Sequence, residues 1–172
     1  KGRSIHDRKI LRDRIIEGVR ALAPGTLVTG AWSPGDVVHR SPANAHLLVP
    51  ECEGDSLLFL LDAAGVECST GSACHAGVPQ PSDVVLAMGY SETQARGALR
   101  LSLGRTSSDR DVDALLAALP GAVERAQRAG ATQAEQVPGG CGDVFHQAGF
   151  GDFQFQATRV QPIAGQRVLH LA

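Results

Sequence analysis

The sequence predicts an α/β domain of the α+β kind: a short mixed or antiparallel sheet covered mainly on one side by helices, followed by a tail. Three observations lead there. Helical and strand periodicities alternate from about Ile5 to Arg128. The 172 residues are 43% apolar, enough for one well-filled core and too few for two comfortable ones. Beyond Gly130 the composition shifts, and four of the five phenylalanines (Phe145, Phe150, Phe153, Phe155) fall in a Gly- and Gln-rich stretch. The domain is therefore placed at residues 1–130, and residues 131–172 are set apart as an appendage.

In chain order, Leu11, Ile15, Ile16, Val19 and Leu22 recur at helical spacing with Arg12, Arg14, Glu17 and Arg20 between them. This is an amphipathic helix from about Ile5 to Ala23, ended by Pro24 and Gly25. A short strand is expected at Thr26–Thr29, then a turn-rich loop, TGAWSPGDVVHRSP. The run NAHLLV, bounded by Pro42 and Pro50, suits a strand at Asn44–Val49. Asp55 or Ser56 can cap the helix carrying LLFLLDAA, and Gly65 offers its left-handed stop. Val66–Cys68 reads as a brief strand.

After a long loop, Ser82 starts a helix that stops at Gly89, and Ser91 with Gln94 has capping-box spacing for one more turn. In ALRLSLG, Leu99, Leu101 and Leu103 take one face of a strand and Arg100 and Ser102 the other. A last helix runs from Ser108 to about Arg128, with Asp111 at capping-box distance from Ser108 and a kink expected at Pro120. Residues 152–156 of the appendage alternate as a strand would.

The formal charge of −2 and a pI near 6.3 leave no basic footprint for nucleic acid or an anionic membrane. No apolar run approaches the roughly 20 residues that span a bilayer, and the N-terminus has no signal-peptide core. These features lead to the expectation of a soluble, cytoplasmic protein. The chain opens on Lys1 and goes straight into a helical pattern, which suggests a piece of something longer. The cysteines Cys52, Cys68, Cys74 and Cys141 are read as reduced thiols, since a chain of this size buries a core without disulfides.

Two residues are candidates for chemistry. Cys74 lies within Ser69–Pro81, a run of mostly Gly, Ser, Ala, Thr and Pro with little apolar surface to fix it in place. About five residues on each side, at roughly 3.3–3.6 Å each, let the sulfur range over roughly 15 Å. A thiol so tethered can collect an atom at one place and deliver it at another, and its nucleophilic form is the thiolate. His75 is adjacent, although neighbouring residues in an extended loop point in opposite directions. Arg100 offers the planar fork that suits a carboxylate, and a strand holds it more firmly than a loop would. Cys52 and Cys68 are read as packing residues. Cys68, Cys74 and His75 fall short of a closed zinc site, which takes four ligands at compact spacing.

The run EGDSLLFLLDAAGVECSTGSACHAGVPQPSDVVLAMGYSETQARGALRLSLGRTSSDRDVD resembles the C-terminal small domain of the cysteine desulfurases, within the class V aminotransferase family of fold type I pyridoxal phosphate enzymes. The likeness extends from about Ile10 to Arg128, and the GSAC and RLSLG segments are its most specific parts. His75 stands where Ser or Thr is more usual, and AWSPGDVVHR is longer than the matching loop.

The resemblance implies conversion of L-cysteine to L-alanine, with pyridoxal phosphate as the electron sink and sulfur carried as a persulfide. It matches Cys74 to the persulfide-forming cysteine, which through its persulfide can also serve as a metal ligand to a transient iron–sulfur cluster. Arg100 matches the arginine that grips the substrate carboxylate. Further implications are a homodimer in the full-length family and a sulfur-acceptor protein, either a cluster scaffold or a tRNA thiolase. The cofactor's Schiff-base lysine belongs to a large N-terminal domain. The only lysines here, Lys1 and Lys9, are in the wrong context. The lone chain is accordingly expected to be inactive. The alternative is a non-catalytic sulfur carrier or interaction module, or a structural remnant.

Overall fold

The computed structural model describes residues 4–71 and 80–135, with side chains through Gly130. Its first element, α1 (Ile5–Leu22), begins at a capping box. The Ser4 hydroxyl accepts from the Asp7 amide at 3.2 Å, and the Asp7 carboxylate accepts from the Ser4 amide at 3.0 Å. Its apolar stripe of Leu11, Ile15, Ile16 and Val19 is buried as expected. Arg12, placed between them as a polar residue by its type, is fully buried as well.

Three strands, β1 (Leu27–Val28), β2 (Asn44–Leu48) and β3 (Ala98–Ser102), form an antiparallel sheet in that order. Pairing sets Leu27 opposite Leu48, and across the other seam His46 opposite Arg100 and Leu48 opposite Ala98. Alternation then divides the side chains. Ala45, Leu47, Leu99 and Leu101 face a core built with α1, α2 (Gly54–Ala63) and α5 (Asp109–Glu135). Leu57, Leu61, Leu115 and Leu119 complete it at 0% exposure, each worth about 1.5–3 kcal/mol relative to an exposed position.

The second sheet face is split. At one end Leu48 and Ala98 pack with Val85 of α3 (Asp83–Ala87), Ala95 of α4 (Glu92–Arg96) and Tyr90. At the other end the sheet presents Asn44, His46, Arg100 and Ser102, which no helix buries among the described residues.

Two expected details differ. α2 starts at Gly54 behind Glu53, which makes no side-chain cap, so neither Asp55 nor Ser56 caps it. The reason is tertiary: a Cβ on Gly54 would lie 2.5 Å from the Ala98 carbonyl, so this turn is wedged against the start of β3. Val66–Cys68 forms no strand; Val66 makes only an isolated bridge, and beyond β3 the chain pairs through the isolated bridge from Ser69 to Arg100.

The capping box at Ser91 and Gln94 is present, and the Ser108 amide donates to Asp111 at 2.8 Å. α5 passes through Pro120 as one assigned helix. It lies against α1, where a Cβ on Gly18 would come within 2.6 Å of Leu116, so the bare glycine is the seat for that leucine. The expected strand at 152–156 falls outside the described residues.

Candidate functional site

Arg100 lies where the alternation of ALRLS predicts, on the outward face of β3 and exposed, while Leu99 and Leu101 point into the core. Its backbone amide donates to the Ser69 carbonyl at 2.6 Å and its carbonyl accepts from the Ser69 amide at 3.1 Å. Both main-chain groups are thereby turned towards Ser69 and away from β2. Arg100 and His46 consequently form a non-hydrogen-bonded pair, the kind in which facing side chains come closest.

A row of polar side chains results across the sheet: Thr29, His46, Arg100, Ser69. Thr29 Oγ1 lies 2.9 Å from His46 Nδ1, and Arg100 Nη2 donates to Ser69 Oγ at 3.3 Å. Ser69 Oγ also accepts from the Gly71 amide at 3.1 Å, joining the strand to the residue at which the described chain stops. Gly71 has a φ of 72°, which favours glycine, and a Cβ there would lie 3.2 Å from His46 Nε2. Burial holds the His46 pKa below its ordinary 6.5, and the charges of Arg100 and Arg40 add to the effect.

Arg40 comes from the turn-rich loop and donates to the Thr29 carbonyl through both terminal nitrogens. The loop is itself clamped to α1. Arg12 donates to the carbonyls of Asp36 at 2.6 Å and Ser41 at 3.2 Å and pairs with Asp13 at 2.7 Å, while Asp13 accepts from Trp32 Nε1 and the Gly35 amide. A buried guanidinium is tolerable only with its donors satisfied, and here loop carbonyls and one carboxylate do so.

Cys74 and His75, and with them the cluster-ligand expectation for Cys74, lie outside the described residues, as does Cys141. Cys52 is buried in the core and Cys68 half-buried, both with free thiols. Burial pushes each thiol pKa up to about 11, with nearby carboxylates adding to it, as befits packing residues. Among the described residues no cluster of His, Cys, Asp and Glu could hold a metal ion. Nor do the described residues fit pyridoxal phosphate: their one lysine, Lys9, belongs to α1 with its ammonium near Gly35. No helix among them is long and apolar enough to cross a membrane.

Reasoning from residue types missed Thr29, His46, Ser69 and Arg12. A signal for Arg12 existed, because it stands four residues before Ile16 and seven before Val19, on the apolar stripe.

Comparison with known proteins decides the family. The chain is 57% identical over 121 residues to an IscS-like cysteine desulfurase of Mycobacterium tuberculosis, a match covering 70% of this chain and 30% of that protein. The matched region belongs to the cysteine desulfurase family. Cysteine desulfurase IscS 1 of Archaeoglobus fulgidus is 43% identical over 115 residues, covering 67% of this chain and 28% of the relative.

Among solved structures, a NifS-like protein from Rickettsia africae superposes with a TM-score of 0.55 at 21% identity, over 70% of this chain and 29% of that one, a likeness of fold. The chain thus spans about 30% of the length of the curated cysteine desulfurases it matches, consistent with a C-terminal fragment. No family model matches it.

Proposed function

We propose that this chain carries the sulfur-accepting and carboxylate-binding part of a cysteine desulfurase, with Cys74 as acceptor and Arg100 as carboxylate grip. The overall change is L-cysteine to L-alanine. The Cys74 thiolate attacks the substrate sulfur and an S–S bond forms. The carbon–sulfur bond breaks with its electron pair left on carbon, and that carbon takes up a proton. The product on the enzyme is a persulfide, which then passes to an acceptor protein such as a cluster scaffold or a tRNA-thiolating enzyme. Pyridoxal phosphate, which the family resemblance implies, is held in this reading by residues outside the described ones.

The observation that carries the reading is the 57% identity to a cysteine desulfurase over the stretch that includes β3. The polar half of the sheet around Arg100, which no described residue covers, supports it, since a guanidinium fixed on a strand and left open to one side by those residues is suited to a carboxylate.

The experiment supplies sulfur from an active cysteine desulfurase with ³⁵S-cysteine and maps the label by peptide analysis. Label at Cys74 that disappears in Cys74→Ala and persists in Cys68→Ala is the expected result. Label at Cys68 or Cys141 instead would reject the assignment. The same chain given cysteine and pyridoxal phosphate alone is expected to release no alanine. Supplying the cofactor-binding large domain of a cysteine desulfurase separates the two readings. Alanine released only when both parts are present supports the desulfurase reading. Cys74 labelling with no alanine even then would favour the carrier reading, in which the chain hands on sulfur made elsewhere.

A further inference from the structure

The split sheet face contains a group that Arg100 alone does not explain. Among the described residues His46 has one nitrogen occupied: Nδ1 lies 2.9 Å from Thr29 Oγ1, while that same hydroxyl is 3.3 Å from the His46 carbonyl. One arrangement of protons satisfies both contacts, with Nδ1–H donating to Thr29 Oγ1 and the Thr29 hydroxyl donating to the carbonyl. Nε2 is then the bare, lone-pair nitrogen.

Nε2 faces the backbone of Gly71, where a Cβ would lie 3.2 Å from it and 4.0 Å from the Arg100 Cβ. Glycine at this position thus lets the chain pass close to the imidazole and the base of the arginine, where a side chain would crowd the ring. Arg40 and Arg100 both act on the ring electrostatically and oppose its protonation. A second cation brought up to the ring would meet the same opposition, whereas a neutral donor would not.

We propose that His46 is a specificity-determining residue of the Arg100 site, its Nε2 accepting a hydrogen bond from the thiol of a ligand whose carboxylate Arg100 holds. The ligand class is a small carboxylate bearing a thiol, as against one bearing only an ammonium or no donor. The inference rests on the reading of Arg100 as a carboxylate grip. It adds to that reading a means of distinguishing cysteine from alanine, the substrate from the product.

The test follows the side-chain signals of His46 and Arg100 in the full chain by NMR while titrating propionate, L-alanine, 3-mercaptopropionate and L-cysteine. The expected order is a roughly threefold or greater gain for each thiol compound over its thiol-free counterpart, the scale of one weak hydrogen bond. That gain should vanish in His46→Phe, which keeps a ring but offers no acceptor. Equal binding of 3-mercaptopropionate and propionate overturns the proposal, as does a gain for alanine over propionate that matches the gain for the thiol.

A long-range ¹H–¹⁵N spectrum of the unliganded wild type gives a second check that needs no variant. Protonated Nδ1 and bare Nε2 are expected, and the opposite tautomer rejects the proposal. Arg100→Ala separates the two levels of inference. If it leaves all four affinities unchanged, the carboxylate reading fails and this one with it. If it abolishes binding while His46→Phe keeps the thiol preference, only the role of His46 fails.

Discussion

Gly97 lies directly against the Val49 carbonyl: a Cβ on Gly97 would be 2.0 Å from that oxygen, and Val49 in turn donates its amide to the Gly97 carbonyl at 2.8 Å. The turn into β3 is thus locked to the end of β2 by backbone contact that any side chain would disrupt. Gly97→Ala is expected to cost about 2 kcal/mol or more, since backbone on both sides must move. Gly121→Ala, at a helical position where an added Cβ meets nothing within 4 Å, should instead stabilise by about 0.5–1 kcal/mol. Urea unfolding of the two variants beside the wild type measures both, and equal midpoints would refute the contrast.

Arg12 joins α1 to the loop of residues 30–41, and its removal takes the charge partner from Asp13 and this donor from the carbonyls of Asp36 and Ser41. Arg12→Met keeps much of the buried volume but loses the donors, and a loss of about 3 kcal/mol is expected. Trp32, the chain's single tryptophan, donates to the same carboxylate. Its fluorescence should therefore change in Arg12→Met already in the folded protein, and an unaltered spectrum would contradict the clamp.

Stability should fall with acid in two stages. Burial disfavours charge on His46, with Arg100 and Arg40 adding to it, so its folded pKa is below 6.5. Between those values the unfolded chain binds the proton and the folded chain does not, so the contribution is complete above pH 6.5 and is lost as the pH falls through the folded pKa. His46→Gln should flatten this stage of a urea-midpoint profile.

For Asp13, burial raises the carboxyl pKa, but hydrogen bonds from Trp32, the Gly35 amide and Arg12 outweigh it, and the net folded value is below 3.8. Its contribution is present above that pH and is lost as the pH falls further. Asp13→Asn should remove this second stage, and a profile unchanged by both substitutions would rule out the assignments.

Cys52 and Cys68, with thiols raised to about 11, should resist alkylation at neutral pH. The smaller thiolate fraction outweighs the greater nucleophilicity of a more basic sulfur, leaving each roughly twentyfold slower than an ordinary free cysteine. Iodoacetamide labelling followed by peptide mapping reads this directly, and rapid labelling of either would show that it is not a packing residue.

Where periodicity was strict and local, the sequence was legible. Leu99, Arg100 and Leu101 alternate without interruption, and Arg100 lies on the face so assigned. Ser91 and Gln94 needed only their own spacing. What the sequence concealed depended on partners distant along the chain. The pairing of His46 with Arg100 follows from a register between strands some fifty residues apart, which neither strand encodes alone. The start of α2 at Gly54 is fixed by the Ala98 carbonyl and not by a capping residue. Arg12 was assigned to solvent by its charge although its position placed it inside; the loop that satisfies it begins some twenty residues later.

The packing of α1 on α5 bears on how the domain is made. Arg14 pairs with Asp109 and Asp113, and Gly18 receives Leu116, so the two helices run side by side in the same direction although about a hundred residues separate them. During synthesis, α1 and the inner face of the sheet stay without this cover until the segment from Val112 to Ala126 has left the ribosome. Acquisition of the native state of the described domain is thereby timed by α5, and a ribosome stalled shortly after Arg100 would hold a strand that carries this arginine but not yet a folded domain behind it.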